Sequence, residues 1–471
     1  MTNTVRFLTT ALLAAIAVTG VAMGTTAAEF AFVTTTDFIT GSSSRLLADG
    51  AHTTTKDVAM LHSDAVCRYF DGFLYVVNRF GGDNIQILDP SNGFATVRQI
   101  SVGNGSDPHD VWVVGPNKAY VPRYNETGLW IVDPSTGAHT GTIDMSGLAD
   151  ADGIPEMDQL ARVGDRVFVT IQRLDRNAFF TPVGTSFVAV IDATADTLVD
   201  VDGSAPGAQS ILLSGTDPFS SIQLDPYTGR LYVSSVGFFG VQDFGAEWID
   251  PVTFASEGVF FSESAAGGDI NDVEIVAPDK GFAIISDASF NNVLIAFNPQ
   301  TGANLGTVYA PGAFVLNDIE LSPGGELFLA DRTPTLPGIR CYDPTTNLEL
   351  TANPIDVGLP PFDICFSVPV QTGIGEPPRV AAVLGQNYPN PFNPVTSIPY
   401  SVERAGHVRA GVYDARGRLV RVLVDEVLIA GQYQTTWNGV DTASRAVPSG
   451  VYFVRLEVSG RAYARKLVLL K

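Results

Sequence analysis

Residues 271–302, NDVEIVAPDKGFAIISDASFNNVLIAFNPQTG, contain three runs in which apolar and polar residues alternate, each separated from the next by a turn. Asp272 opens the first run, Gly281 leads into the second, and the third ends at an Asn-Pro pair followed by Gly302. Alternation at period two marks a half-buried β-strand. Proline fixes φ, and glycine or asparagine accepts the left-handed region, so the NPQTG end has the chemistry of a tight turn.

The same unit recurs along the chain. Its opening reads SDAVC at Asp64, HDVWV at Asp110, MDQLA at Asp158, SSIQL at Ser221, NDIEL at Asp318 and FDICF at Asp363, at a mean spacing of about 50 residues. Second strands read GFLYVVN, NKAYVPR, DRVFVTI, GRLYVSS and GELFLAD, and third strands close on DPSNG, DPSTG, DATAD, DPVT and DPTTN. A strand-rich period of this length is the signature of propeller blades. Six repeats are complete, and the seventh, FDICFSVPV, stops after one strand. The segment FAFVTTTDFITGSSSRLLADG reads as the second and third strands of a blade, and HTTTKDVAML as its fourth. The expected fold is therefore all-β: a seven-bladed β-propeller over residues 29–370, closed by N-terminal strands pairing beside residues 363–368. Closure removes the exposed edge of an open array.

Composition adds domain boundaries. The 471 residues include 28 Lys+Arg and 50 Asp+Glu, a net charge of −22. Residues 29–378 carry 15 basic and 44 acidic side chains, whereas residues 379–471 carry 12 basic and 6 acidic, which implies two domains of different chemistry. An acidic surface repels phosphate backbones and anionic lipid, which argues against nucleic-acid or membrane-surface partners. Residues 1–28 have one Arg, an apolar stretch and small residues before Ala28, the pattern of a signal peptide, and no later segment is apolar enough to span a bilayer. Residues 371–386 read as a linker, and 387–471 as a small β-sandwich of strands alternating with Gly turns. Cys67, Cys341 and Cys365 fit no zinc or disulfide spacing and sit in apolar runs away from His or Lys, so they read as small core residues.

The repeats resemble bacterial extracellular propellers of the YVTN or LVIVD kind over roughly residues 30–370. The C-terminal stretch, through Asn387 to Pro394, Tyr413 to Gly417, Trp437 to Gly439, Ser449 to Phe453 and Lys466 to Lys471, closely resembles the FlgD-like immunoglobulin sorting domain of type IX secretion. That resemblance implies export across the outer membrane and attachment or release at the bacterial cell surface, with the sorting machinery as a partner.

In a propeller, the loop entering the first strand and the loop after the second open on one face. Asp64, Asp110, Asp158, Asp272, Asp318 and Asp363 are thus expected to ring the channel mouth. Arg79, Arg123, Arg173 and Arg332 fall 13 to 15 residues after their Asp on that face. Repeats three and four carry long insertions there with Phe179, Phe180, Phe238, Phe239, Phe244 and Trp248. Long loops on a rigid scaffold are where recognition usually sits, so the Arg and Phe residues are candidate ligand contacts for an extracellular protein or glycan. The acids have two readings: staples from blade to blade, because a buried carboxylate needs partners, or oxygen ligands for a cation such as Ca²⁺. The segments GDINDVEIVAPDKGFAIISD and VLNDIELSPGGELFLAD resemble gluconolactonase-like propellers, which implies the alternative of a metal-dependent hydrolase holding its cation through Asn271, Asp272, Asn317 and Asp318, with Glu156 or Asp158 as a further carboxylate. His109, beside Asp110, is the candidate general base. DADG at Asp150 and DVDG at Asp200 lack the later acid of a calcium loop and read as turns.

Overall fold

A computed structural model describes residues 29–367 apart from 49, 205 and 206, and from residue 384 all but 385, 386, 388, 389, 391, 403–405, 415, 429, 430, 444, 459, 460 and 471. The expected signal peptide, residues 1–28, and most of the expected linker, residues 371–386, lie outside the described residues.

The described part of 29–367 is a propeller-like succession of seven antiparallel sheets of four or more strands, with one small hairpin beside the third. Sheets 1 to 6 span 65–101, 112–144, 157–212, 223–262, 269–309 and 316–349, and within each the strands lie side by side in chain order, except that in sheet 3 Ile211–Leu212 pairs back with Phe187–Asp192. Sheet 7 is made from both ends of this stretch. Pro361–Phe366 pairs with Phe30–Thr36, which pairs with Gly41–Leu47 and then Thr54–Leu61. The register matches Ala31 with Phe366 and Val33 with Ile364.

Period-two sequence explains how the sheets stack. In the second strand of sheet 1, Leu74 and Val76 point into a cluster with Phe30, Phe32 and Cys365 of sheet 7. Tyr75 and Val77 point the other way, into a cluster with Val111, Ala119 and Val121 of sheet 2. Successive side chains leave opposite faces of a strand, so a strand apolar at every position is one covered on both sides. Five further clusters join sheets 2 and 3, 3 and 4, 4 and 5, 5 and 6, and 6 and 7. Fully buried Phe32, Phe168, Phe282 and Phe328 anchor these layers, each contributing about 1.5–3 kcal/mol by burial.

The repeated turn has one mechanism. Asp89, Asp133, Asp192, Asp250, Asn298 and Asp343 each accept, through the side chain, the backbone N–H two residues on, at 2.8–2.9 Å. That bond closes an Asx turn and sends the chain back as the fourth strand. Asp150 and Asp200 make the same bond to Asp152 and Asp202, so the two calcium-like stretches are turns.

The C-terminal residues form two antiparallel sheets over one core. Thr396–Val402 pairs with Gly431–Trp437, and the four-stranded sheet runs Leu419–Leu428, Gly406–Asp414, Gly450–Val458, Arg461–Leu469. Trp437 is fully buried among Ile398, Val412 and Leu467, and its ring N–H donates to the Val440 carbonyl at 2.9 Å. Asn390 clamps the last strand by accepting from Val468 N–H and donating to Lys466 O.

Candidate functional site

The segments that open all seven sheets converge on one cavity of about 670 Å³. Its wall includes Arg68 from sheet 1, His109 before sheet 2, Asp158 from sheet 3, Ser221 before sheet 4, and Asp272, Asp318 and Asp363 from sheets 5, 6 and 7.

The repeat-opening carboxylates act across sheets. Asp110 accepts the Leu160 N–H of sheet 3 at 2.9 Å, Asp272 the Ile319 N–H of sheet 6 at 3.1 Å, Asp318 the Ile364 N–H of sheet 7 at 2.7 Å, and Asp363 the Cys67 N–H of sheet 1 at 2.7 Å. Each satisfies a backbone donor that the first strand of the next sheet cannot pair itself. Asp64 and Asp158 depart from this pattern: Asp64 holds Arg79, whose Nε lies 2.9 Å from it, and Asp158 pairs with His109 and accepts from Gln172. Asp64 and Asp110 do not belong to the cavity wall.

Five acids gather in and behind this wall, Asp272 and Glu274 buried and Asp318, Glu320 and Asp363 half-buried. Burial pushes Asp272 up to about 7 and Glu274 up to about 8, and raises Asp318, Glu320 and Asp363, with their mutual repulsion adding to it. Arg68 is the cation among them. Burial opposes its charge, but Asp110, at 2.8 and 3.0 Å in a bidentate pair, holds the guanidinium protonated.

His109 sits on the opposite wall. Its Nδ1 lies 2.7 Å from Asp158, its ring stacks on Tyr124 at 4.1 Å, and Gln172 links Tyr124 Oη to Asp158. Burial would favour the neutral ring, but the hydrogen bonds to Asp107 and Asp158 win and raise its pKa. Neighbouring Asp217 is pushed up to about 7 by burial and by the charge of Asp158.

The rim is aromatic. Leu174–Asp175 and Thr181–Pro182 form a small hairpin that carries Phe179, 97% exposed, and Phe180. Both have φ near +57°, a conformation costly for a bulky residue. Arg176 tethers the hairpin through Glu156 at 2.8 Å, Asn125 at 2.6 Å and the Tyr124 carbonyl at 2.8 Å. Across the opening stand Phe238 and Phe239, the latter edge-on to Phe219 at 5.4 Å, and Phe314.

The remaining expected residues lie elsewhere. Phe244 packs beneath its loop: a Cβ on Gly237 would come within 2.6 Å of its ring. Trp248 stacks on Phe260 at 4.1 Å within sheet 4. Of the four arginines only Arg79 lines the cavity. Arg123 donates to Val102 O, Arg173 to Thr185 O, and Arg332 to Pro361 O and Thr36 O, so their guanidinium groups are engaged by backbone carbonyls. Asn271, Asp272, Asn317 and Asp318 do border the cavity together. The two Asp carboxylates accept inter-sheet N–H groups and the Asn317 amide donates to Phe362 O at 2.6 Å, while the Asn271 amide nitrogen is buried with no acceptor. Both Asp272 oxygens and one Asp318 oxygen already accept backbone N–H groups, and the Asn271 oxygen accepts from Ser286 Oγ, which leaves few of these oxygens for a cation that takes six to eight. Glu156 is held by Arg176, and Asp158 by His109. Sequence reading missed Arg68, Tyr124, Gln172, Phe219 and Phe314; only Arg68, a charge in the apolar alternation of AVCRYF, carried a visible signal.

This is an all-β, propeller-like chain with an axial site, followed by a separate module. Residues 386–470 match the family described as the secretion system C-terminal sorting domain. That domain indicates secretion by the type IX route to the cell surface or beyond. No curated protein matches the chain. Among solved structures, a "putative 6-phosphogluconolactonase" from Bacteroides fragilis is similar at 13% identity and TM-score 0.51, over 73% of this chain and 99% of that one. A protein from Lactobacillus plantarum is similar at 14% identity and TM-score 0.51, over 72% and 99%. PorZ, a surface component of the type-IX secretion system of Porphyromonas gingivalis, shares 14% identity at TM-score 0.42 over 92% of this chain; the chain spans 64% of PorZ. Among the described residues no helix is long and apolar enough to cross a membrane.

Proposed function

We propose that residues 29–367 form a seven-bladed propeller whose axial cavity binds an extracellular glycan, and that an immunoglobulin-like C-terminal sandwich delivers it to the surface of a bacterium after removal of residues 1–28. The observation that carries this reading is one cavity walled by all seven sheets, with a polar floor and a rim of exposed phenylalanines. Carboxylates, amides and a histidine hydrogen-bond hydroxyls, while flat aromatic faces cover the C–H face of a sugar ring, and a cavity of about 670 Å³ accommodates a short oligosaccharide.

The hydrolase reading has His109 and Asp158 in its favour, because an imidazole oriented by a carboxylate faces the cavity. The hydrogen bonds that raise the His109 pKa favour its protonated form, in which both ring nitrogens donate and can hold a ligand hydroxyl. Titration calorimetry against an oligosaccharide panel decides between them. Saturable binding weakened at least about tenfold by Phe180→Ala or Phe239→Ala, with melting temperature unchanged, is expected. Turnover of a lactone, lost in His109→Ala, or the absence of any saturable oligosaccharide, would overturn this reading.

A further inference from the structure

The hairpin that joins the third and fourth strands of sheet 7 places His52 against sheet 6. One ring nitrogen of His52, one carboxylate oxygen of Glu326 and the Cys341 sulfur lie within 4.8 Å of one another. His52 Nε2 is 2.7 Å from Glu326 Oε2. Glu326 stands at the turn between the first two strands of sheet 6, fixed by Ser322 Oγ accepting its N–H at 3.0 Å. Cys341 lies in the buried third strand of that sheet. The sequence expectation that every cysteine lies away from histidine is thus corrected: His52 comes from the far end of the propeller chain, 289 positions before Cys341.

We propose that His52, Glu326 and Cys341 form a zinc site that clamps sheet 7 to sheet 6. The donor set is one nitrogen, one oxygen and one sulfur, the mixture that borderline Zn²⁺ accepts and that Ca²⁺ or Mg²⁺ does not. With metal–ligand bonds of about 2.0–2.3 Å at tetrahedral angles, donor atoms sit roughly 3.4–3.6 Å apart. The present spread, from 2.7 Å to at most 4.8 Å, brackets that spacing.

The surroundings suit the ion. The His52 side chain is 8% exposed and Glu326 28%, which leaves an entry from solvent on the Glu326 side. Phe328 meets the imidazole edge-on at 6.0 Å and fixes its plane. Glu29 lies close enough for the charge of Glu326 to act on it, and its Oε1 is buried without a hydrogen-bond partner. Such an oxygen is costly to leave unpaired and gains a partner in a cation. Binding converts the Cys341 thiol to thiolate and releases its proton to solvent, so affinity increases with pH. The ion then joins two sheets that no backbone hydrogen-bond ladder connects, at the place where the ring is closed by segments far apart in sequence. This site lies apart from the axial cavity, and its test is independent of the ligand there.

The full chain, freed of metal by chelation, is titrated with Co²⁺ and then Zn²⁺. One equivalent of Co²⁺ should produce the near-ultraviolet thiolate-to-cobalt absorption, bleached by one equivalent of Zn²⁺, with a rise in melting temperature that a chelator reverses. Cys341→Ser should abolish the absorption. Glu326→Gln, a change at a partly exposed turn that spares the core, should weaken Co²⁺ at least about tenfold. Asp318→Asn, in the axial wall, should leave it unchanged. No thiolate absorption in the wild-type chain, or an absorption that persists in Cys341→Ser, would overturn the proposal.

Discussion

Asp363, in the last sheet, accepts the backbone N–H of Cys67, in the first, at 2.7 Å and across 296 positions of sequence. The same bond recurs from Asp110 to Leu160, from Asp272 to Ile319 and from Asp318 to Ile364, so the acid that opens each of these repeats is also what ties it to the next. Asp363→Ala leaves the Cys67 N–H buried without a partner. It should lower unfolding free energy by about 1–3 kcal/mol in a denaturant titration. Asp363→Asn keeps an acceptor oxygen and removes a charge that burial opposes, and should cost less than the alanine. Equal losses for the two would show that the carboxylate acts by charge rather than as an acceptor.

Closure depends equally on the N-terminal strands. Among the described residues Phe30–Thr36 is the only neighbour of Pro361–Phe366 in its sheet, and Phe30 and Phe32 lie in the cluster between sheets 7 and 1. Deleting residues 29–60 exposes both that strand edge and that cluster. Cooperative unfolding of the ring, followed by circular dichroism, is expected. A truncated chain with the melting temperature of the intact protein would contradict ring closure.

How much of this could be read in advance follows from which interactions are local. The Asx turns at Asp133 or Asn298 close over two residues, so they recur as a sequence signature and set the period. Strand patterns are local too: the incomplete seventh repeat, with FAFVTTTDFITGSSSRLLADG and HTTTKDVAML read as strands, pointed to the pairing of Phe30–Thr36 with Pro361–Phe366. Side-chain direction at a strand end is not local. Arg79 and Arg332 occupy equivalent places in their repeats, yet one pairs with Asp64 and the other reaches Pro361 O and Thr36 O, because each long side chain goes to the acceptors its own surroundings offer. Sheet 4 shows the converse. Its repeat opens with Ser221 rather than Asp, and its first strand shrinks to Gln223–Leu224.

The buried acids fix a direction for pH dependence. Asp272 and Glu274 titrate near 7 and 8 in the folded chain, above the roughly 4 of the unfolded one. A raised folded pKa gives stability that is complete below the unfolded value and is lost as pH rises through the folded one. His109, also raised, acts in the same sense. Melting temperature should therefore fall by several degrees, on the order of 2–4 °C per kcal/mol, between pH 5.5 and 8.5. Asp272→Asn with Glu274→Gln should flatten the profile. A melting temperature that climbs across this range would contradict the assignment.

Arg176 links the rim to the acidic interior. Its guanidinium holds the Phe179 hairpin to Asn125 and the Tyr124 carbonyl while neutralising the fully buried Glu156. Burial nevertheless pushes Glu156 up to about 7, because it outweighs that ion pair. Removing the guanidinium by Arg176→Ala therefore has two separable effects. The hairpin loses three of its anchors, and limited proteolysis should cut near Phe179 while the sheets stay intact. Glu156 loses its counter-ion, and its pKa should climb further, so the loss of stability should be small at pH 5.5, where the carboxyl is protonated in either chain. The loss should grow toward the roughly 3–5 kcal/mol of an unpaired buried charge as pH rises above 8. Adding Glu156→Gln to Arg176→Ala should remove the pH dependence but not the proteolytic cut, because the amide needs no counter-ion and the hairpin still has no tether. A double variant that resists cleavage would place the hairpin's order in its own turn rather than in Arg176.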